Sequence, residues 1–548
     1  MIQQNFIKIY EESFKSNWEL PALSNYKDRK TLSYSQLAEK IARIHIMYEE
    51  LGIRKGDKVA LIGKNHTGWS LVFLATITYG AVIVPILHEF NPESIEHIIS
   101  HSESRCVFIN KKIWENLDKN KVTVPVFSLP SFDLLQSHDE TTKELPIKLD
   151  ALFAKKYPDG FHKENIVYAD VDNEEVICLN YTSGTTGFSK GVMLTANNFA
   201  GNITYAHTLK LLFRGERDLA FLPMAHAYGC AFDFLYALST GVHVTLLDVA
   251  PSPQNLINAF QEIKPNIIIT VPLIFEKIYK KKILPEINKP AVKMLSRTPG
   301  LNRLVYRKIR KSLIKSLGGN FREVIIGGAA LGKDVEAFFY KIKFPFTVGY
   351  GMTECGPLIS YDHHYDFVPT SCGSVLAGIM EARIDSPDPE KIPGEIQVRG
   401  ENVMKGYYKN PEATAAAFTE DGWLKTGDSG VMRGRRLFIK GRIKTMILGP
   451  SGQNIYPEEI ESKLNNLPYV AESLVIERER KLVALVYPDY EAMGADGLTA
   501  DQLPQIMEDN KKLLNNQVAN YERIGSIVVV DKEFEKTPKK SIKRFLYS

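Results

Sequence analysis

Along the first third of the chain, apolar residues recur first at helical and then at strand spacing. Ser33 stands where a helix cap is expected, and Leu37, Ile41 and Ile44 then share one face of a helix that ends near Gly52. A short apolar strand is predicted at 59–62. The stretch 69–87, WSLVFLATITYGAVIVPIL, approaches the length of a membrane span. Gly80 and Pro85 interrupt it, however, and the β-branched run after Gly80 reads as a buried strand following a helix. A helix at 92–101 and a strand at 106–110 continue the alternation, and NIIITV (266–271) and EVII (323–326) extend it. Continuous apolar strands between helices predict an α/β body of mainly parallel sheets, buried on both faces.

Past about residue 380 the texture changes. EIQVRG and RLFIKGR are short strand patterns between glycines and charges, which predicts a β-rich antiparallel subdomain. After Arg442 comes a compact α+β pattern: a helix at 457–464, strands at 474–476 and 482–487, a long helix at 500–516 and a strand at 527–530. The expected organisation is a large N-terminal body, residues 1–441, and a small mobile C-terminal domain, residues 442–548, hinged near residue 444.

Bulk properties narrow the function classes. A chain of 548 residues exceeds one hydrophobic core. A net charge of +4 over that length does not suggest a nucleic-acid partner. Five cysteines without paired spacing argue against a disulfide framework and against a zinc cage. The first twenty residues lack a signal-peptide apolar run, so a cytoplasmic location is expected.

The strongest local chemistry lies at 181–191, YTSGTTGFSKG, directly after a strand pattern. Gly184, Gly187 and Gly191 allow backbone amides to turn towards an anion. Thr182, Ser183, Thr185 and Thr186 add neutral donors, and Lys190 adds charge. A triphosphate needs this combination. The P-loop of nucleotide triphosphatases is excluded, because that motif requires glycine before the lysine and Ser or Thr after it. Here those positions hold Ser189 and Gly191.

YTSGTTGFSKGV resembles the signature of the adenylate-forming superfamily, which includes acyl-CoA synthetases, luciferases and peptide-synthetase adenylation domains. Further motifs follow in the family's order. FLPMAHAYG (221–229) resembles the stretch beside the acyl carboxylate, which implies a positioning role for His226. GGAA (327–330), with Gly328 and Ala329, resembles the border of adenine and acyl tunnel. YGMTE (350–354) implies that Tyr350 stacks on adenine beside Gly351, that Thr353 offers a hydroxyl to phosphate, and that Glu354 is a magnesium ligand. DGWLKTGD (421–428) implies that Asp428 binds the ribose hydroxyls. GRIK (441–444) implies a nucleotide contact for Arg442 and a hinge at Lys444. GQNIYPEEIE (452–461) matches the element that lines the thiol entrance. The implied co-substrates are ATP with Mg2+ and coenzyme A, and the implied catalytic residues include Thr186, His226 and Glu354.

The terminal motif departs from the family pattern. KTPKKSIKR (536–544) places Ser541 where the family has its adenylation lysine, with Lys540 one residue earlier. Either Lys540 or Lys539 reaches the site through a shifted turn, or the usual cation is missing; Lys540 is the preferred candidate. Removing such a cation costs about 10²–10³ in rate by analogy with other lost donors.

The acyl group is expected to be a long-chain fatty acid, since VPLIFEKIYKKK (271–282) resembles long-chain acyl-CoA synthetases. Aryl acids, short acids and amino acids stay open. Residues 277–315 carry thirteen Lys/Arg and one acid, Glu286. That run is either a solvated helical face or a basic amphipathic surface for anionic lipid at the inner membrane face. Acyl carrier protein is the alternative acceptor, and a degenerate acyl or nucleotide binder is the alternative of another class. A homodimer is compatible with the sequence.

Overall fold

A computed structural model describes residues 2, 4–137, 139–182, 190–279, 283–297, 301–448, 454–479, 481–537 and 542–547. Side chains at 141, 286, 288, 291, 293, 296, 297, 301 and 454 are not described. The body is α/β. Its largest sheet has eight strands, in the order 406–407, 190–195, 176–182, 82–86, 58–62, 104–110, 126–129 and 134–136. The five central strands from 176–182 to 126–129 run parallel, and the strands at both margins are antiparallel. A four-stranded sheet (217–220, 243–246, 21–25, 31–33) and a parallel three-stranded sheet (268–270, 324–326, 346–348) complete the α/β layers. The β-rich portion is a seven-stranded antiparallel sheet between Tyr350 and Arg442.

Local chemistry explains the elements. Ser33 caps helix Tyr34–Glu50 with a reciprocal bond to Gln36, a capping box that satisfies two of the helix's free amides. The apolar stretch at 69–87 is not one span. It divides into helix Thr67–Tyr79, a left-handed Gly80 at φ 85° and buried strand Val82–Ile86. Pro85 is tolerated there because this strand pairs with 176–182 in register only at Ile83↔Cys178, so no ladder bond is lost on that side. Among the described residues no helix is long and apolar enough to cross a membrane. The basic stretch forms helices Leu284–Asn288, Pro290–Arg297 and Leu301–Ser316.

One continuous apolar core runs from Phe6 to Leu437, and separate cores begin at Ile455 and Leu474. The smaller C-terminal domain therefore folds around its own interior. It consists of strands Val470–Arg478, Lys481–Pro488 and Ile524–Val529 against helices Pro457–Leu464 and Leu503–Asn515. The expected helix at 500–516 begins as a 3-10 turn, Ala500–Gln502, because Pro504 sits at the first helical turn.

The body's interior contains one electrostatic anomaly. Asp218 on strand Arg217–Ala220 and Asp233 on the π-helical turn Cys230–Tyr236 are buried. Three of their four carboxylate oxygens have no hydrogen-bond partner. Burial pushes the Asp218 carboxyl up to about 7, and burial together with the Asp218 charge also raises the Asp233 carboxyl well above its ordinary range. Two adjacent acids in an apolar wall cannot both ionise. The sign follows: a carboxyl raised on folding contributes stability at low pH that is lost as pH rises through about 7. Thermal unfolding of Asp233→Asn should therefore lose less stability between pH 6 and pH 8.5 than the unaltered chain. The gain at the alkaline end should be ~1–3 kcal/mol. Parallel pH profiles for the two proteins would contradict the raised carboxyl at Asp233.

Candidate active site

The antiparallel pair 176–182 and 190–195 builds the site's floor. Its last registered pair is Thr182↔Lys190, preceded by Tyr181↔Gly191. Ser183, Gly184, Thr185, Thr186 and Gly187 lie outside the described residues. A side chain at 191 would meet the Tyr181 ring at 3.0 Å, so anything larger than glycine would press on that ring. The Tyr181 hydroxyl is 2.7 Å from Nδ1 of His101, at the end of helix Pro92–His101.

Lys190 extends from this floor, its ammonium 4.8 Å from the centroid of the Tyr407 ring. Tyr407 is held there by pairing with Val192, and its hydroxyl donates to Glu354 Oε1 at 3.0 Å. One aromatic residue thus brings the loop's cation and the expected metal ligand together. Glu354 sits in the 3-10 turn Thr353–Cys355, which is fixed by a bond from Met404 N to Glu354 O at 2.8 Å. Thr353 lies in the same turn, half-buried. Gly351 is required because the Pro357 carbonyl occupies the space a side chain would need.

Four residues before Glu354, the Tyr350 hydroxyl donates to Asp428 Oδ2 at 2.7 Å. Asp428 Oδ1 is 2.8 Å from Arg442 Nε, its direct cross-strand partner. Burial raises the Asp428 carboxyl above its ordinary range, and Arg442 pulls the other way. Arg442 is 62% exposed, so its guanidinium reaches solvent while steadying the buried acid. The strands at 350–351, 424–433 and 436–442 therefore assemble Tyr350, Asp428 and Arg442 as a unit. Lys444 follows in the 3-10 turn Ile443–Thr445.

On the acyl side, the Tyr228 ring lies 3.1 Å from where a side chain of Gly327 would stand, and its hydroxyl donates to Ile325 O at 3.2 Å. This contact joins the 221–229 segment to GGAA. His226 precedes the helical turn Ala227–Gly229, and its carbonyl accepts from Cys230 N at 3.0 Å. Gly328, with φ 82°, and Ala329 are exposed, leaving backbone open for a flat ligand. Lys539, Lys540 and Ser541 lie outside the described residues. Lys536, at the start of that motif, is paired with Glu472 at 2.6 Å.

Tyr407 is the residue of this cluster that the motifs do not mark. Its only sequence signal is an aromatic pair after Gly406, and its role arises from pairing with a strand more than two hundred residues earlier. Among the described residues no group of three or more His, Cys, Asp or Glu could hold a metal alone. Glu354 beside Thr353 suits a magnesium ion that keeps phosphate oxygens and water as its other ligands.

Comparison with known proteins gives the family. Residues 10–408 match the AMP-binding enzyme family, and residues 445–547 match the AMP-binding enzyme C-terminal domain. A long-chain-fatty-acid–CoA ligase of Mycobacterium tuberculosis is 29% identical over 486 residues, covering 84% of this chain and 77% of the relative. A chloroplastic long-chain-fatty-acid–[acyl-carrier-protein] ligase of Arabidopsis thaliana is 26% identical over 601 residues, covering 92% of this chain and 78% of the relative. ATP-bound MatB from Rhodopseudomonas palustris shares the fold, with a TM-score of 0.75 at 22% identity over 98% of both chains. With the phosphate-loop strands, the Tyr350–Asp428–Arg442 unit and the separate C-terminal domain in one chain, the protein belongs to the AMP-binding enzyme family, the adenylate-forming acid–thiol ligases.

Proposed function

We propose that the chain activates a long-chain fatty acid with ATP as acyl-AMP and then transfers the acyl group to coenzyme A. The observation that carries this reading is the pair of acids on one short segment's reach. Glu354 stands beside Lys190 through Tyr407, and Asp428 pairs directly with Arg442 while accepting from Tyr350 on its other oxygen. A phosphate-and-metal post and a ribose post, flanking a glycine–hydroxyl loop, suit one nucleotide laid across the strand ends.

In the first half-reaction a carboxylate oxygen attacks the α-phosphate, the new O–P bond forms and pyrophosphate leaves. Lys190 and the loop hydroxyls hold the phosphates in line, and Tyr350 and Asp428 hold adenine and ribose. Magnesium at Glu354 would neutralise phosphate charge. His226 and Tyr228 position the acid against the open backbone of Gly328 and Ala329. In the second half-reaction a thiol attacks the acyl carbonyl and AMP leaves. Two chemistries at one site call for a body of residues 1–441 and a mobile domain of residues 442–548 that turns near Lys444.

The long-chain assignment is supported by the relatives and by the basic surface. On helix Leu301–Ser316, Arg303, Arg307, Lys311 and Lys315 form an exposed i, i+4 row. Leu304 beside it is 62% exposed, and Met294 on the preceding helix is 66% exposed. Cations interleaved with exposed apolar side chains suit a peripheral position on an anionic membrane face. Transfer to acyl carrier protein is the second reading, favoured by the relative that uses that acceptor.

AMP formation should rise with chain length in a panel of fatty acids from C2 to C18 with aryl acids alongside. Flat activity, or activity with aryl acids only, would remove the long-chain assignment. Replacing coenzyme A by acyl carrier protein in the same assay decides the acceptor, and no acid-dependent pyrophosphate release at all would favour a binder. Lys540→Ala should slow adenylation by about 10²–10³, while thioester formation from supplied acyl-AMP survives. Equal loss of both steps would discard Lys540. Asp428→Asn should weaken AMP binding by about 10–100-fold, the worth of hydrogen bonds to a charged group. That loss is readable as a smaller thermal shift with added AMP, and an unchanged shift would place ribose elsewhere.

A further inference from the structure

The body and the small domain meet beside the nucleotide posts through one aromatic residue. Tyr456 immediately precedes helix Pro457–Leu464 and is buried, although it belongs to the small domain. Its ring sits in a notch on strand Arg436–Arg442: a side chain on Gly441 would come within 2.8 Å of it. Its hydroxyl shares a buried hydrogen bond of 2.7 Å with Ser429 Oγ. Ser429 and Gly441 are cross-strand partners, and the next registered pair is Asp428↔Arg442. The seat of the small domain is thus one residue removed from the expected ribose contact.

The contacts around Tyr456 are polar. Glu459 Oε2 lies 3.4 Å from Lys333 Nζ of the body, near the GGAA segment. Glu458 Oε1 accepts from Thr445 Oγ1 at 2.6 Å, and that hydroxyl is also 3.0 Å from the Arg442 carbonyl. The Arg544 guanidinium lies 3.6 Å from Glu458 and donates to Glu461, which is buried. Arg544 follows the terminal lysine motif. One helix start therefore touches the nucleotide strands, the turn at 443–445 and the terminal segment.

We infer that Tyr456 is a positioning residue of the reaction. It docks the small domain in the arrangement seen here, and the domain can leave only by breaking the Ser429 bond and withdrawing the ring from the Gly441 notch. The inference rests on the two-step reading above. It adds the contact that sets how long one of the two arrangements persists. Exposed ion pairs such as Lys333–Glu459 contribute little, so the buried bond decides.

The test uses the full-length enzyme and the variants Tyr456→Phe, Ser429→Ala and their combination. Each is conservative enough to fold. ATP–pyrophosphate exchange reads the first half-reaction, and thioester formation from supplied acyl-AMP reads the second. Each single variant should shift the ratio of the two rates by about three- to tenfold in the same direction, the scale of one buried hydrogen bond. The double variant should shift it no further. Tryptic cleavage at Lys444 should quicken by a similar factor, and the thermal shift by AMP should stay unchanged. Gly441→Ala, which fills the notch, should move the ratio the same way and further. An unmoved ratio with unmoved cleavage, or single effects that simply add, would overturn the docking role. Failure of the functional reading would look different: the unaltered enzyme would then show no exchange.

Discussion

Neighbouring parallel strands cannot be joined by a short loop, whereas antiparallel ones can. The site's architecture follows from that constraint. The large sheet is parallel through its centre, and strand 190–195 breaks the pattern by returning beside 176–182. Such a return sets Thr182 and Lys190, the described flanks of the glycine–hydroxyl motif, directly opposite each other as a registered pair. The same reversal makes 190–195 available to a further antiparallel strand, 406–407, and so brings Tyr407 over Lys190. The candidate phosphate site and its acidic companion are therefore products of one topological decision.

The other half of the site is set by how a buried charge is satisfied. Asp428 is almost fully enclosed, and an enclosed carboxylate must find donors. It has a tyrosine hydroxyl on one oxygen and a guanidinium on the other, each from a different strand of the antiparallel sheet. The two sheets contribute different chemistry: the parallel-centred one carries the loop, and the antiparallel one carries the posts. The segment from Tyr350 to Glu354 links them, touching Asp428 at one end and Tyr407 at the other.

Much of this was legible in the sequence, for reasons that differ by residue. Ser33 and Gly80 announce a helix start and a helix end through local backbone chemistry, and both stand as expected. Asp428 and Arg442 stood out because DGWLKTGD and GRIK resemble family motifs in a fixed order, although that order did not announce their direct pairing. Tyr407 did not, since its place beside Lys190 and Glu354 arises only through a pairing across two hundred residues. The Asp218–Asp233 pair was equally hidden: each is an ordinary acid in its own segment, and only packing makes them neighbours. The mixed character of the main sheet was also hidden, because strand 190–195 carries the same apolar pattern whichever way it runs.

The fully buried core of the body ends at Leu437 and that of the small domain begins at Ile455. Ile439 packs on the first and Ile447 on the second, and the contacts described above between the two parts are polar apart from the Tyr456 ring. Reorienting the small domain would thus uncover little hydrocarbon to water. Heat-capacity change tracks newly wetted apolar surface, so the equilibrium between arrangements should carry a nearly constant enthalpy. Its van 't Hoff plot would be straight, and warming or cooling the enzyme would not, through hydration, lock the domain in either position.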